Sequence, residues 1–360
     1  PSPSPSPKPH HHHHHHHHQQ QQQPQFEVVG NDAGDFLNTL CTSDVDGEIG
    51  RISYCQMLDS EGHMQADLTC IKLAEDRFML VVTDTQHNHV LHLMKNRLNK
   101  NSHCFINDVT NSFAQLNIMG PKSRELMEKI TVGCDLTNSG FKFRDAKEVE
   151  IGYAHVLAVR ITYVGELGWE LYVPTEQASH VYDVINKAYG EINAGDVPLV
   201  GLKALGSLRL EKGYRDFGHD IDNTDTILSA GLSFTCNFDK SPRFIGRDAV
   251  LKQKEERKVT LSKRMVNVLC LTDRGDVMFH HGEIVRRDGV EVGEIRAGSY
   301  GHSLGGCVGL MMCERRDGEP VTKKWLERGD WTVEVGGSGE HACQVRLEPF
   351  YDPKNDRINI

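Results

Sequence analysis

From Phe26 onward the chain switches between two hydrophobic periods. FEVV is short and β-branched, Gly30-Asn31-Asp32 is a turn signal, and Phe36, Leu37 and Leu40 then recur at helical spacing. That order predicts a strand, a turn and an amphipathic helix. Arg51 to Leu73 alternates as two strands about a turn near Asp59 to Gly62, and Phe78 to Thr83 is apolar enough for a buried strand. Gln86 to Leu98 returns to the helical period, with Val90, Leu91, Leu93 and Met94 inward. A second cycle follows: a strand at Ser112 to Gly120, a helix opened by Pro121-Lys122 and running through Ile130, a strand within Ala154 to Val164, and a helix over Ser179 to Ala188. Leu202 to Leu210 is helix-like, with Leu205 and Leu208 expected on the core side. Past a charged break at Lys252 to Lys263, short strands with turn signals between them crowd the rest of the chain, the pattern of a small β-barrel or sandwich. The periodicity predicts an α+β fold, with two related subdomains over 26–255 and a small β domain over 262–353.

The first 25 residues are different material. PSPSPSPKP, the nine histidines His10 to His18 and a glutamine run cannot bury apolar surface, so disorder is expected there. The formal net charge of −10 argues against nucleic acid and anionic membrane surfaces as partners. No apolar run approaches the length of a transmembrane helix. The ten cysteines are scattered without C-x-x-C or zinc spacing, which predicts reduced, mostly buried thiols in a reducing compartment, and no secretion. His87, His89 and His92 do not share one helical face, and no metal site is expected.

The most informative string is ITYVGELGWELYVP, Ile161 to Pro174. It sets Gly165, Glu166 and Gly168 inside β-branched, aromatic sequence. Two readings fit: a hairpin turn from Gly165 to Gly168 with solvated acids, or a loop whose Glu166 accepts hydrogen bonds from a flat, donor-rich heterocycle. The string resembles the Y-x-G-E-x-G-(aromatic)-E signature of the folate-binding aminomethyltransferases, the glycine-cleavage T-protein family. A second block, Gly201 to Asp248, is similar to the same family, with Arg209, Glu211, Gly213, Gly218, Asp220, Gly231, Leu232, Gly246 and Arg247 on matching positions. The strings RLEKGYRDFGHDI and PFYDPKNDR lean toward the C-terminal folate half of sarcosine and dimethylglycine dehydrogenases.

The resemblance implies two related folate-binding subdomains followed by a C-terminal β-barrel. It implies tetrahydrofolate as cofactor, bound through Glu166, Arg209, Tyr163, Gly165 and Trp169, with Asp67 catalytic. Glu166 would bind the pterin's paired donors, and Asp67 would take a proton from the folate amine as it captures a one-carbon unit. On their own chemistry these residues keep alternatives. Asp67 can be a solvated strand residue, Arg209 can form a salt bridge to Glu211 or Asp220, and Tyr163 and Trp169 can fill a core, the favoured reading for Trp169. Ala66 and Gly62-His63 depart from the family's G-G-x-x-D-D-L, and its tyrosine near the C-terminus has only Tyr351 as a weak substitute.

The implied function is one-carbon transfer forming 5,10-methylenetetrahydrofolate from an oxidised N-methyl donor. No strand followed by G-x-G-x-x-G occurs, so no flavin is expected on this chain, and a flavoprotein domain or subunit is the expected partner. The resemblance places the protein in the mitochondrial matrix, with the cytoplasm as the other compartment. Two alternatives remain: a non-catalytic regulator of the pyruvate dehydrogenase phosphatase type, favoured by Ala66, and a glycine-cleavage T-protein.

Overall fold

The computed structural model describes residues 23–256, 261–272 and 277–360. Two antiparallel sheets and a closed barrel form the frame. The first sheet holds β1 (Gln25–Val29), β2 (Ile52–Leu58), β3 (Met64–Ala74), β4 (Arg77–Val82) and β5 (Phe105–Asp108) in the order β2-β3-β4-β1-β5. Its helices are α1 (Ala33–Leu40) and α2 (His87–Arg97). The second sheet, in the order β6-β9-β8-β7, holds β6 (Phe113–Met119), β7 (Ala146–Ile151), β8 (Ala154–Val159) and β9 (Gly168–Pro174), with α3 (Ser123–Ile130) and α4 (Ala178–Asn193).

The alternating pattern of each strand serves two cores at once. On the first sheet Met57, Ala66, Leu68, Leu80 and Val82 face α1 and α2. Ile52, Ile71, Met79 and Val81 take the opposite face and meet Val159 and Tyr172 of the second sheet. Trp169, Leu171 and Val173 face α3 and α4. The two cycles seen in the sequence are thus two helix-backed sheets packed sheet against sheet. Two short strands, β5 and β7, carry too weak a pattern to be foreseen.

After α5 (Leu202–Glu211) and α6 (Arg247–Glu255) comes the barrel. Its strands β10 (Lys263–Cys270), β11 (Ile284–Arg287), β12 (Val290–Gly301), β13 (Gly306–Glu314), β14 (Trp331–Val335) and β15 (Gly339–Arg346) close in the order β10-β13-β12-β11-β14-β15. A short helix α7 (Lys323–Leu326) interrupts the series. Helix α5 lies on β12 and β13, and a shared core that includes Leu210, Ile227, Met265 and Leu310 joins the barrel to the segment after α5.

Three expectations need correction. The tail does not extend to residue 25: Gln25 is buried in β1, and the Pro24 carbonyl accepts from the Val82 amide. The low-complexity residues up to 22 and part of the charged break lie outside the described residues. The buried face of α5 is Ser207, Arg209, Leu210 and Glu211, while Leu205 and Leu208 are only half-buried, because the face is chosen by the barrel wall. The turn around Gly165 is not tight either: β8 ends at Val159, Gly168 already belongs to β9, and residues 160–167 form a longer loop. All ten cysteines are free thiols, eight of them buried.

Candidate active site

Four segments converge beside the sheets, and the hairpin β2–β3 supplies the first carboxylate. Asp67 sits on the opposite side of β3 from Ala66 and Leu68, the side that looks toward the second sheet. Gln56 is its register partner. The Gln56 amide donates to Asp67 Oδ1 at 2.8 Å, and the Tyr54 hydroxyl donates to Oδ2 at 3.0 Å. Gln56 is itself fixed, because its Oε1 accepts from the hydroxyls of Thr42 and Thr235. Burial pushes the Asp67 carboxyl up to about 7, the Gln56 and Tyr54 bonds pull it back, and Asp216 and Asp220 add to the rise. Burial, then the Asp67 charge, raises the Tyr54 phenol well above its ordinary value, so Tyr54 stays a donor at neutral pH.

Loop 160–167 supplies the second carboxylate. Gly165 has φ +74°, and a Cβ there would lie 2.7 Å from Lys212 Cδ, so both backbone and packing require glycine. Lys212 holds that position through its 2.8 Å ion pair with Asp352. Glu166 follows, its Oε1 accepting from the Tyr351 hydroxyl at 2.5 Å. Among the described residues nothing else bonds to Glu166. Burial, with the Glu166 bond and charge, pushes the Tyr351 phenol up to about 12, which keeps it protonated. Tyr163 donates to the Arg215 carbonyl at 2.8 Å and stacks on Tyr214 with centroids 6.0 Å apart.

The third segment is the end of α5 and the stretch that follows it. Arg209 is buried and grips Asp220 with both nitrogens, Nη1 to Oδ2 at 3.0 Å and Nη2 to Oδ1 at 3.1 Å. It also donates to the Tyr214 carbonyl at 2.9 Å. This is the salt bridge of the alternative reading, and it fixes the loop under Tyr163. The fourth segment is the stretch after the barrel, with Tyr351 and Asp352.

Asp67, Tyr163, Gly165, Glu166 and Arg209 therefore all stand on these converging segments. Trp169 does not. It is fully buried on the helix side of the second sheet, edge-on to Phe141 at 6.1 Å and beneath Arg160 at 5.6 Å, so it is a core residue and the expected folate contact is corrected. Sequence reasoning missed Tyr54 and Gln56, although the correctly placed hairpin turn puts Gln56 opposite Asp67. It undervalued Tyr351, which no local pattern ties to Glu166. His87 pairs with Asp108 at 2.6 Å, and no metal-ligating cluster occurs among the described residues.

Comparisons with known proteins bear on the family and the fold. A family model described as the GCVT N-terminal domain matches residues 16–240, and one described as the glycine cleavage T-protein C-terminal barrel domain matches residues 263–352. The 4-methylaminobutanoate oxidase (formaldehyde-forming) of Paenarthrobacter nicotinovorans is 35% identical over 335 residues, covering 93% of this chain and 38% of that protein. Mitochondrial sarcosine dehydrogenase of Mus musculus is 31% identical over 354 residues, covering 93% of this chain and 37% of that protein. The chain thus spans less than two-fifths of the length of either enzyme. The crystal structure of glycine cleavage system aminomethyltransferase T from Bartonella henselae superposes with a TM-score of 0.76 at 24% identity, covering 92% of this chain and 84% of that one, which establishes the shared fold.

Proposed function

Because the chain belongs to the GCVT aminomethyltransferase family, we propose that it binds tetrahydrofolate and delivers a one-carbon unit to it, as the folate half of a system that oxidises N-methylated amines. The observation that carries this reading is Asp67, a carboxyl held by two donors and raised to about 7, a proton affinity suited to general-base work near neutral pH. Bound tetrahydrofolate would supply the nucleophilic amine that captures the carbon, with 5,10-methylenetetrahydrofolate as product.

The residues fit such a ligand. Glu166 uses one oxygen on Tyr351 and keeps acceptor capacity for a pterin's adjacent N–H donors. Tyr351 holds the carboxylate in one rotamer, and Gly165 against Lys212 fixes the loop. Asp67 accepts the amine's hydrogen bond and then its proton, while Tyr54 and Gln56 keep it oriented. The Arg209–Asp220 pair supports the floor and is not a folate contact on this reading.

The oxidation of the N-methyl group belongs to a flavoprotein domain or subunit, and the mouse relative's mitochondrial name makes the same compartment the reading here. The direct test is calorimetry of the purified chain with tetrahydrofolate, followed by methylenetetrahydrofolate formation with the uncatalysed condensation subtracted. Saturable binding with a rate above background supports the proposal. Absence of binding refutes it.

A further inference from the structure

Three cations lie close together at the end of α5 and just after it, and they are treated differently. Arg209 is matched by Asp220 and Lys212 by Asp352, each in an ion pair at 3.0 Å or closer. Arg215 has no carboxylate partner among the described residues. Its guanidinium is held by main-chain carbonyls alone: Nε donates to Ala230 at 3.1 Å and Nη1 to Gly213 at 2.6 Å. Nη2 bonds to no described residue. A Cβ at Gly231 would stand 3.1 Å from that nitrogen, so the glycine leaves the outer edge of the guanidinium unobstructed.

Arg215 is only partly exposed, and an unpaired cation withdrawn from water is costly unless something repays its charge. Burial lowers its pKa below arginine's ordinary value, and Tyr54, Asp220 and Asp67 nearby, none of them in an ion pair with it, offset only part of that cost. The carbonyls cover two of five N–H donors, and the free edge has the fork geometry that suits a carboxylate. Its place is beside the base. Ala230 and Gly231 lead into the turn Ser233–Thr235, which sets the exposed Phe234 ring 6.5 Å from Tyr54 and the Thr235 hydroxyl on Gln56. Tyr54 and Gln56 are the two residues that hold Asp67.

We propose that Arg215 is a specificity residue that binds a carboxylate on the one-carbon donor, so that the cleft takes the carbon unit on an amino acid in preference to free formaldehyde. This rests on the folate reading above. The names of the two enzymes matched, 4-methylaminobutanoate oxidase (formaldehyde-forming) and sarcosine dehydrogenase, both point to molecules with an N-methylamino group at one end and a carboxylate at the other, and the first also names formaldehyde, the competing donor, as its product. The other source of a carboxylate in this cleft is the glutamate tail of folate itself.

The experiment compares the parent chain, Arg215→Gln and Arg215→Lys by calorimetry, each variant first matched to the parent by circular dichroism. The probes are 4-methylaminobutanoate and N-methylbutylamine, which lacks the carboxylate, each titrated into tetrahydrofolate-saturated protein. Tetrahydrofolate and tail-free tetrahydropteroate are titrated separately. The parent should prefer 4-methylaminobutanoate about 10- to 100-fold. Arg215→Gln should abolish that preference and leave both folate affinities unchanged, and Arg215→Lys, which keeps the charge without the fork, should retain part of it.

An equal preference in parent and Arg215→Gln overturns the proposal, as does a parent with no preference. Weakened tetrahydrofolate with unchanged tetrahydropteroate would instead assign Arg215 to the glutamate tail, which also overturns it. Should Arg215→Gln fail to fold, the lysine variant decides: full retention of the preference refutes the fork, and partial loss supports it. Failure of the parent to bind tetrahydrofolate at all refutes the folate reading separately, since that titration contains no donor.

Discussion

Replacing Asp67 with asparagine tests the centre of the reading with the smallest available change. Asn keeps one acceptor for the Gln56 amide, whose orientation is locked from behind by Thr42 and Thr235. Its new N–H₂ group would face the Tyr54 hydroxyl, which can rotate and accept. The network thus survives, and folate should bind within a few-fold of the parent. The base does not survive, because an amide takes no proton at neutral pH. A carboxyl raised to about 7 exchanges its proton near neutral pH, so the parent should gain competence as the pH is taken above neutrality. Loss of general-base help should slow methylenetetrahydrofolate formation about 100- to 10,000-fold.

The same pKa gives a second reading of the assay. The ionised fraction of Asp67 climbs between pH 6 and pH 8, so the parent's rate should rise across that window while the variant's residual rate stays flat. The assay supplies formaldehyde, or couples the chain to a flavoprotein that oxidises sarcosine, with the uncatalysed condensation subtracted. Equal acceleration by parent and Asp67→Asn would remove Asp67 from the chemistry. A parent without acceleration in either format would remove the enzyme reading altogether.

Glu166→Gln should weaken tetrahydrofolate binding by about 2–3 kcal/mol, because the amide presents a donor to a donor-rich ring; unchanged affinity in calorimetry would reduce the signature to a turn. Trp169→Phe should cost about 1–3 kcal/mol in denaturant unfolding and leave folate affinity unchanged, since Trp169 packs on Phe141 in the core; a parallel loss of affinity would put it back in the site. Glu170 is raised by burial from 4.5 to about 7, so the folded state holds its proton where the unfolded state has released it. Stability therefore falls as pH rises through that window, and Glu170→Gln should flatten the fall by about 1–2 kcal/mol in melts at pH 5 and pH 8. The purified chain should show no stoichiometric flavin absorbance, since the sequence has no G-x-G-x-x-G after a strand.

Strand and helix order was legible wherever one face had to be apolar. Leu37, Leu40, Val90 and Met94 declare their helices because each packs on a sheet. What the periodicity hid is which neighbour a buried face meets. The α5 face was misassigned because the barrel selects Ser207, whose hydroxyl donates to the Tyr300 carbonyl at 2.6 Å, and Glu211, whose Oε1 accepts from the Ser303 amide at 2.7 Å. Polar contacts with a distant strand leave no hydrophobic signal in the helix itself. The site shows the same division. Gly165 and Glu166 stood out because a glycine-flanked acid breaks a strand pattern locally, although that pattern alone also fitted a plain turn. The partner of Glu166 lies 185 positions away, and only the path of the chain after the barrel brings Tyr351 back to it.

The altered motif at Ala66 is the sequence feature that most favours a regulator over an enzyme, and strand geometry changes its weight. Ala66 is completely buried on the helix side of β3, in the same core as Met57 and Leu68. A carboxylate at that position would point into that apolar core, away from the sheet face that carries Asp67. Its replacement by alanine therefore subtracts no acid from the cleft, and it relieves a buried charge that would need a partner of its own. On the cleft side the carboxyl, its two donors and the Glu166–Tyr351 pair are all in place. A regulatory reading would have to explain why a carboxyl is kept oriented and near neutrality with no proton to move. For that reason a catalytic Asp67 remains the stronger proposal, and the rate of Asp67→Asn is the measurement on which it stands.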